Sequence, residues 1–152
     1  MNAMIAKEYG GPEVLNLETV DRPRAGEHEV LIEVHASSVN PVDYKIRKCV
    51  VRVRGPGVAG LKVDDEVYAS PSLVRNGAHA ELVAVDARTV AIKPSTLDHV
   101  HAAALPLVTI TAWEALYERA SIREGQTVLI QAGGGGVGDV ASQPDTLHGC
   151  RG

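Results

Sequence analysis

Thr127-Val128-Leu129-Ile130-Gln131-Ala132-Gly133-Gly134-Gly135-Gly136-Val137-Gly138 is the stretch on which the reading of the fold turns. Its first five residues, with Val128, Leu129 and Ile130 at the centre, suit a strand buried on both faces of a parallel sheet. Gly133-x-Gly135-x-x-Gly138 follows at once, and that placement is what the dinucleotide-binding fingerprint requires. Gly133 would allow the tight turn, Gly135 would let backbone approach a pyrophosphate, and Gly138 would let a helix pack close to the strand. Free amides at the helix start would then meet the phosphate charge. The competing reading is a flexible linker, because any run of four glycines generates such matches.

Working outward towards the C-terminus, Asp139 to Gln143 can begin a helix, but Pro144 should stop it. No second strand follows, nor an acidic residue about 20 positions on to hold a ribose hydroxyl. In the other direction, Asp98 to Ala104 and Thr109 to Ala120 read as helices broken near Pro106. Ile110, Trp113, Leu116 and Tyr117 recur at helical spacing, which predicts a core role for the two aromatics. Before Ser95 the chain changes character and reads as β. Short runs at Ala3–Ala6, Val14–Val20, Cys49–Arg54, Lys62–Ala69, Ala78–Val85 and Thr89–Pro94 alternate with Gly/Pro turns. Val30 to Val39 is the clearest strand, with Val30, Ile32, Val34 and Ala36 on one face and Leu31, Glu33 and His35 on the other. Tyr44 to Lys48 reads as a short helix. Many short strands of this kind predict a small sandwich or barrel. The class is mixed α/β.

Composition closes off other functions. The chain has 152 residues and a formal net charge of -4, with 15 Lys+Arg scattered among 19 Asp+Glu, which excludes the basic stripe of a nucleic-acid binder. Cys49 and Cys150 are too few for a disulfide scaffold or a cysteine-only zinc site. The longest uncharged apolar stretch, Ala102 to Trp113, contains Pro106 and is too short to cross a bilayer. Met1 to Lys7 is too short in apolar residues for a signal peptide, so a soluble, cytoplasmic protein without membrane partners is expected.

Several segments, in order, resemble the zinc-independent quinone oxidoreductases (zeta-crystallin-like) of the medium-chain dehydrogenase/reductase superfamily. They are Tyr9-Gly10-Gly11-Pro12-Glu13-Val14-Leu15, Gly26 to Val34 with Asn40-Pro41-Val42-Asp43-Tyr44-Lys45, and Gly60 to Tyr68, where the family normally has Gly at Asp64. Ala102 to Leu107, Thr111-Ala112-Trp113, Gly125 to Ile130 and the glycine loop complete the series.

The resemblance implies a GroES-like β domain over 1–94, and connector helices with the first βα element of a Rossmann domain over 95–143. The tail, 144–152, matches nothing in the family. It also implies NADP(H)-dependent hydride transfer to a quinone or an α,β-unsaturated carbonyl. Asn40 stands where zinc-dependent relatives carry a cysteine ligand, so zinc is not expected. In the family Asn40 would hydrogen-bond a carbonyl or ribose hydroxyl, and Lys45 would lie near the nicotinamide and stabilise a developing enolate oxygen. Thr111 would approach the nicotinamide ring. Gly133, Gly135, Gly136, Val137 and Gly138 would hold the pyrophosphate.

Three departures from the family pattern are visible. A segment of about one or two strands is absent between Lys48 and Val50, most of the Rossmann domain is missing, and the tail diverges after Gln143. They support a competing reading: a non-catalytic truncated product of a splice variant, frame change or gene-model error, unable to bind cofactor. Dimerisation is also put in doubt, because the Rossmann edge used by relatives is missing.

Simpler roles stand beside the family ones. Asn40 and Asp43 also suit an Asx turn, Lys45 a solvated cation, and Thr111 a hydrogen bond within its own helix. Asp64-Asp65-Glu66 reads as a solvent-facing turn. His99-x-His101 is a poor metal pair, because residues two apart on a helix point to different faces.

Overall fold

The computed structural model describes residues 1–8, 12–38, 46–71 and 79–143. The chain forms two compact units, Met1–Ala104 and Leu105–Gly152.

The first unit is built from antiparallel strands. β1 (Asn2–Ala6) and β2 (Leu15–Thr19) form a two-stranded sheet. β3 (Glu29–Ser38), β4 (Ile46–Arg54), β5 (Glu66–Ala69), β6 (Leu82–Asp86) and β7 (Val90–Ile92) form a five-stranded sheet in the order β6-β3-β4-β5-β7. The two longest strands, β3 and β4, are neighbours near its centre. A bridge between Ala3 and Ala80, with Met4 N–H donating to the His79 carbonyl at 2.6 Å, ties β1 to the segment entering β6.

The predicted face of β3 forms the core. Val30 and Ile32 are fully buried with Val67, and Val58, Leu61, Ala69, Val83 and Val85 complete the cluster. Burying a side chain of this size contributes about 1.5–3 kcal/mol. Leu31, on the opposite face, is buried as well, at 3% exposure, so the alternation is less strict than the sequence pattern implies.

Tight turns set the register. Gly55 allows a close crossing: a Cβ there would collide with the Gly26 and Glu27 carbonyl oxygens and lie 2.8 Å from the Glu27 carbonyl carbon. Arg54 donates from Nη1 to the carbonyls of Val58 (3.2 Å) and Leu61 (3.4 Å), bracing the following loop. Asp64, where the family normally has glycine, takes the left-handed backbone that glycine favours, with φ of 70°. A short polar side chain tolerates that region better than most. Lys62 N–H donates to the Asp65 carboxylate at 2.7 Å and closes the same turn. Asp86 caps the 3-10 turn Ala87–Thr89. Hydrogen bonds from the Arg88 side chain, then its backbone amide, hold the Asp86 carboxyl down at about 2, although the exposed pair adds little stability.

Several local expectations are corrected. Ile46 to Lys48 are strand, not helix, because β4 pairs there with both β3 and β5; Tyr44 and Lys45 lie outside the described residues. Where the resemblance implies an extra segment, between Lys48 and Val50, β4 runs unbroken.

Pro106 does not break the helix. α1 runs from His99 to Trp113 straight through it. Proline removes one amide donor, but Ala102, Ala103 and Pro106 form one buried stripe, so packing holds the turn that propensity disfavours. The helix then widens into a π-helical turn over Glu114–Arg119, where Ala120 N–H donates to the Ala115 carbonyl at 3.0 Å. Ser121, with φ of 51°, ends it.

Thr127 makes a single β-bridge, Gln131 begins a turn, and Thr127 to Gln131 forms no strand ladder among the described residues. Val128 and Ile130 pack on a cluster of Ala112, Leu116 and Ala141, while Leu129 is 85% exposed. The run is therefore covered on one side only. A strand needs a paired neighbour, and no described segment lies alongside it as one. Trp113, expected in the core, is 53% exposed and instead lies against Tyr117, with ring centroids 4.3 Å apart and planes tilted by 36°.

Candidate functional site

The glycine loop leads from the Thr127 to Gln131 run into α2 (Gly136–Ser142). Ala132 takes a left-handed conformation, with φ of 58°, and turns the chain. Gly135 N–H closes the turn on the Ala132 carbonyl at 2.9 Å. Gly135 is also the N-cap of α2 and brings no side-chain oxygen to the first amides, while Asp139 N–H donates to its carbonyl at 2.8 Å. A helix start without a side-chain cap leaves amide donors for water or a ligand.

The glycines of the loop meet different demands. At Gly138 a Cβ would strike the Ala132 carbonyl oxygen and lie 2.7 Å from Gly133 Cα, so only glycine lets α2 approach the loop this closely. Gly135 has the Ala132 oxygen 3.4 Å from its Cβ position, and Gly136 has Val108 Cγ1 at 3.3 Å. At Gly133 and Gly134 a Cβ would meet nothing within 4 Å, and neither residue has a positive φ. Among the described residues no contact requires glycine at those two positions, which precede the uncapped start of α2 and are open.

Of the expected cofactor residues, Gly133, Gly135, Gly136, Val137 and Gly138 are together in this loop and first turn, with Val137 39% exposed and Gly138 buried. Thr111 is exposed on α1, one turn beyond Val108, on the stripe that borders Gly136. Its hydroxyl donates to the Leu107 carbonyl at 2.8 Å, the within-helix bond that the sequence also allowed. Asn40 and Lys45 lie outside the described residues. Asp139, in the first turn of α2, places a carboxylate near the amides; its exposure leaves that charge to solvent screening.

Among the described residues no group of three or more His, Cys, Asp or Glu could hold a metal ion. His99 and His101 are directed apart, as their spacing implies. His101 meets Asp98, whose carboxylate accepts its backbone amide at 2.8 Å and contacts its ring Nδ1 at 2.7 Å. The backbone bond is the larger cause of a lowered Asp98 pKa.

His99 meets Glu66 at 2.9 Å, and Glu66 also pairs with Lys93 at 3.2 Å. The sequence reading missed this network. Glu66 had been placed in a solvent-facing turn, and Lys93 carries no signal of burial beyond its position next to Pro94. Yet the Lys93 side chain is only 4% exposed. No helix of the described residues is long and apolar enough to cross a membrane.

No family model matches the chain. Among curated proteins, it is 38% identical to the 2-methylene-furan-3-one reductase of Solanum lycopersicum, over 94% of this chain and 43% of that protein. It is 34% identical to the quinone oxidoreductase of Rattus norvegicus, over 99% of this chain and 51% of the relative. It is 36% identical to the chloroplastic NADPH-dependent alkenal/one oxidoreductase of Arabidopsis thaliana, over 94% and 44%.

Among solved structures, an alcohol dehydrogenase superfamily protein from Novosphingobium aromaticivorans superposes with a TM-score of 0.93 at 38% identity, covering 99% of this chain and 52% of that one. A mycobacterial protein complexed with NADPH gives 0.87 at 31% identity, covering 99% and 51%. The chain thus spans about half the length of the relatives it matches. The first match extends over 170 positions yet uses 94% of a 152-residue chain, so within it the relative holds residues that this chain lacks.

Proposed function

We propose that the chain belongs with the quinone and alkenal/one oxidoreductases of the medium-chain dehydrogenase/reductase superfamily, which its similarity to them supports, and that its glycine loop holds the pyrophosphate of NADPH for reduction of a quinone or an α,β-unsaturated carbonyl. The observation that carries this reading is the loop itself. Gly138 is required by packing, whereas among the described residues nothing requires Gly133 and Gly134, which precede an uncapped helix start. NADPH, when bound, supplies the hydride.

The chain's own residues supply position and charge. The amides of Gly135, Gly136, Val137 and Gly138 would bind phosphate oxygens, aided by the helix dipole. Thr111 would border the nicotinamide, and its hydroxyl must exchange the Leu107 carbonyl for the ligand or act through its methyl group. Asn40 would orient the acceptor carbonyl or a ribose hydroxyl. Lys45 would stabilise negative charge that develops on the acceptor oxygen, the kind of electrostatic assistance that most favours a transition state. An amide at position 40 cannot replace a thiolate, so the reading includes no catalytic zinc. It places the protein in the cytoplasm, with small molecules and neither nucleic acid nor membrane as partners.

One observation favours the competing, non-catalytic reading: among the described residues Thr127 to Gln131 forms no ladder, and Leu129 is exposed. Turnover decides between the two. With a benzoquinone or a short enone, the purified chain should oxidise NADPH above the protein-free rate. Prior chelator treatment should leave that rate unchanged, and Lys45→Met should lower it by about 10²-fold. A rate no higher than the protein-free control would overturn the enzymatic reading.

A further inference from the structure

Away from the glycine loop, five titratable side chains of the first unit, Glu33 and His35 of β3, Glu66 of β5, Lys93 and His99, form a chain of contacts. The buried Lys93 ammonium donates to the carbonyls of Pro94 (3.1 Å) and Leu97 (2.5 Å) and pairs with Glu66 Oε2 at 3.2 Å. Glu66 Oε1 lies 2.9 Å from His99 Nε2. The other ring nitrogen of His99, Nδ1, is buried and has no hydrogen-bond partner among the described residues. His35 of β3 stacks on His99, with ring centroids 5.9 Å apart and planes 20° from parallel. Glu33 lies 3.7 Å from His35 Nε2. On α1 itself, Asp98 is occupied by His101 and does not serve His99.

We propose that His99 and Glu66 form an acid-sensitive latch fastening the start of α1 to β5. At neutral pH the single ring proton of His99 is on Nε2, where it donates to Glu66, and Nδ1 keeps a lone pair. A second proton, taken from solvent, would have to go on Nδ1, a buried atom with no acceptor beside it. The resulting cation would lie near Lys93, parallel to the His35 ring, and at the first residue of a helix, where the macrodipole opposes positive charge. Only Glu66 favours it, and the charge of Glu66 is already matched by Lys93. Protonation is therefore met by the ring turning out to water, which breaks the Nε2–H to Oε1 bond and leaves Glu66 with Lys93. The released state binds one more proton than the latched one. Stability from the latch is present at the upper end of the histidine range and is lost as pH falls through it.

Two measurements on the full chain test this. In an NMR titration, assigned with His99→Gln, the His99 ring should titrate below the ordinary imidazole value of ~6.5. In thermal melts between about pH 7.5 and about pH 5.5, the wild-type Tm should fall by several degrees more than that of His99→Gln, whose amide can still donate to Glu66. A His99 midpoint at or above ~6.5, or parallel Tm profiles, would overturn the latch. If the variant does not fold, the wild-type titration decides alone.

Discussion

Ile32→Ala is expected to cost the first unit about 3–4 kcal/mol of unfolding free energy, the largest stability effect of any single truncation in the chain. Ile32 is fully buried in the cluster that joins β3 to β5 and β6, with Val30 and Val67 as its fully buried companions. Removing three carbons from such a site loses the transfer energy of the side chain and leaves a void that neighbouring strands fill only in part. The composition sharpens the effect. The chain has no Phe, and its aromatic content is 3%, so no large neighbouring side chain can swing in to fill the space. Since small domains are stable by roughly 5–15 kcal/mol, this is a substantial fraction of the whole. Urea unfolding followed by far-UV circular dichroism measures it. A midpoint shift equivalent to less than about 1 kcal/mol would mean that the sheet core is not where it is placed here.

Gly138→Ala is expected to damage the second unit and its ligand site together. The added methyl meets the Ala132 carbonyl oxygen and Gly133 Cα, both backbone atoms that cannot rotate out of the way. Either α2 shifts away from the loop or the turn at Ala132 opens, at a cost of about 2–3 kcal/mol. Both moves displace the amides at the helix start, so NADPH affinity should fall by at least about tenfold. Trp113, the only tryptophan, reports on this unit through its contact with Tyr117. Gly133→Ala separates the two effects. Its methyl meets nothing among the described residues, so stability should hold or rise slightly, yet it adds bulk to the loop proposed to hold the pyrophosphate and should weaken NADPH. A Gly138→Ala protein with unchanged melting and unchanged binding would contradict this account of the loop.

The β-rich unit was legible because period-2 alternation and Gly/Pro turns are local signals that burial reinforces. The stripe Val30, Ile32, Val34 shows this directly. Where non-local partners decide, sequence reasoning failed. Ile46 to Lys48 became strand through pairing with β3 and β5, and Pro106 was carried through a helix by its buried stripe. The glycine loop was readable as a pattern, but the pattern could not tell which glycines serve packing and which leave space. The Lys93–Glu66–His99 network had no periodicity or motif to announce it. Its members are dispersed along the chain and meet only once β5 and the start of α1 are in place. Asn40 and Lys45 rest on resemblance to the family, and they lie outside the described residues.

The central claim is that this loop binds NADPH, and a thermal melt with and without saturating NADPH, followed by Trp113 fluorescence, tests it most directly. Ligand at about a hundredfold its dissociation constant should stabilise a folded binder by roughly 2.7 kcal/mol, seen as a clear upward shift of a cooperative transition. A cooperative transition that NADPH does not move would contradict the claim.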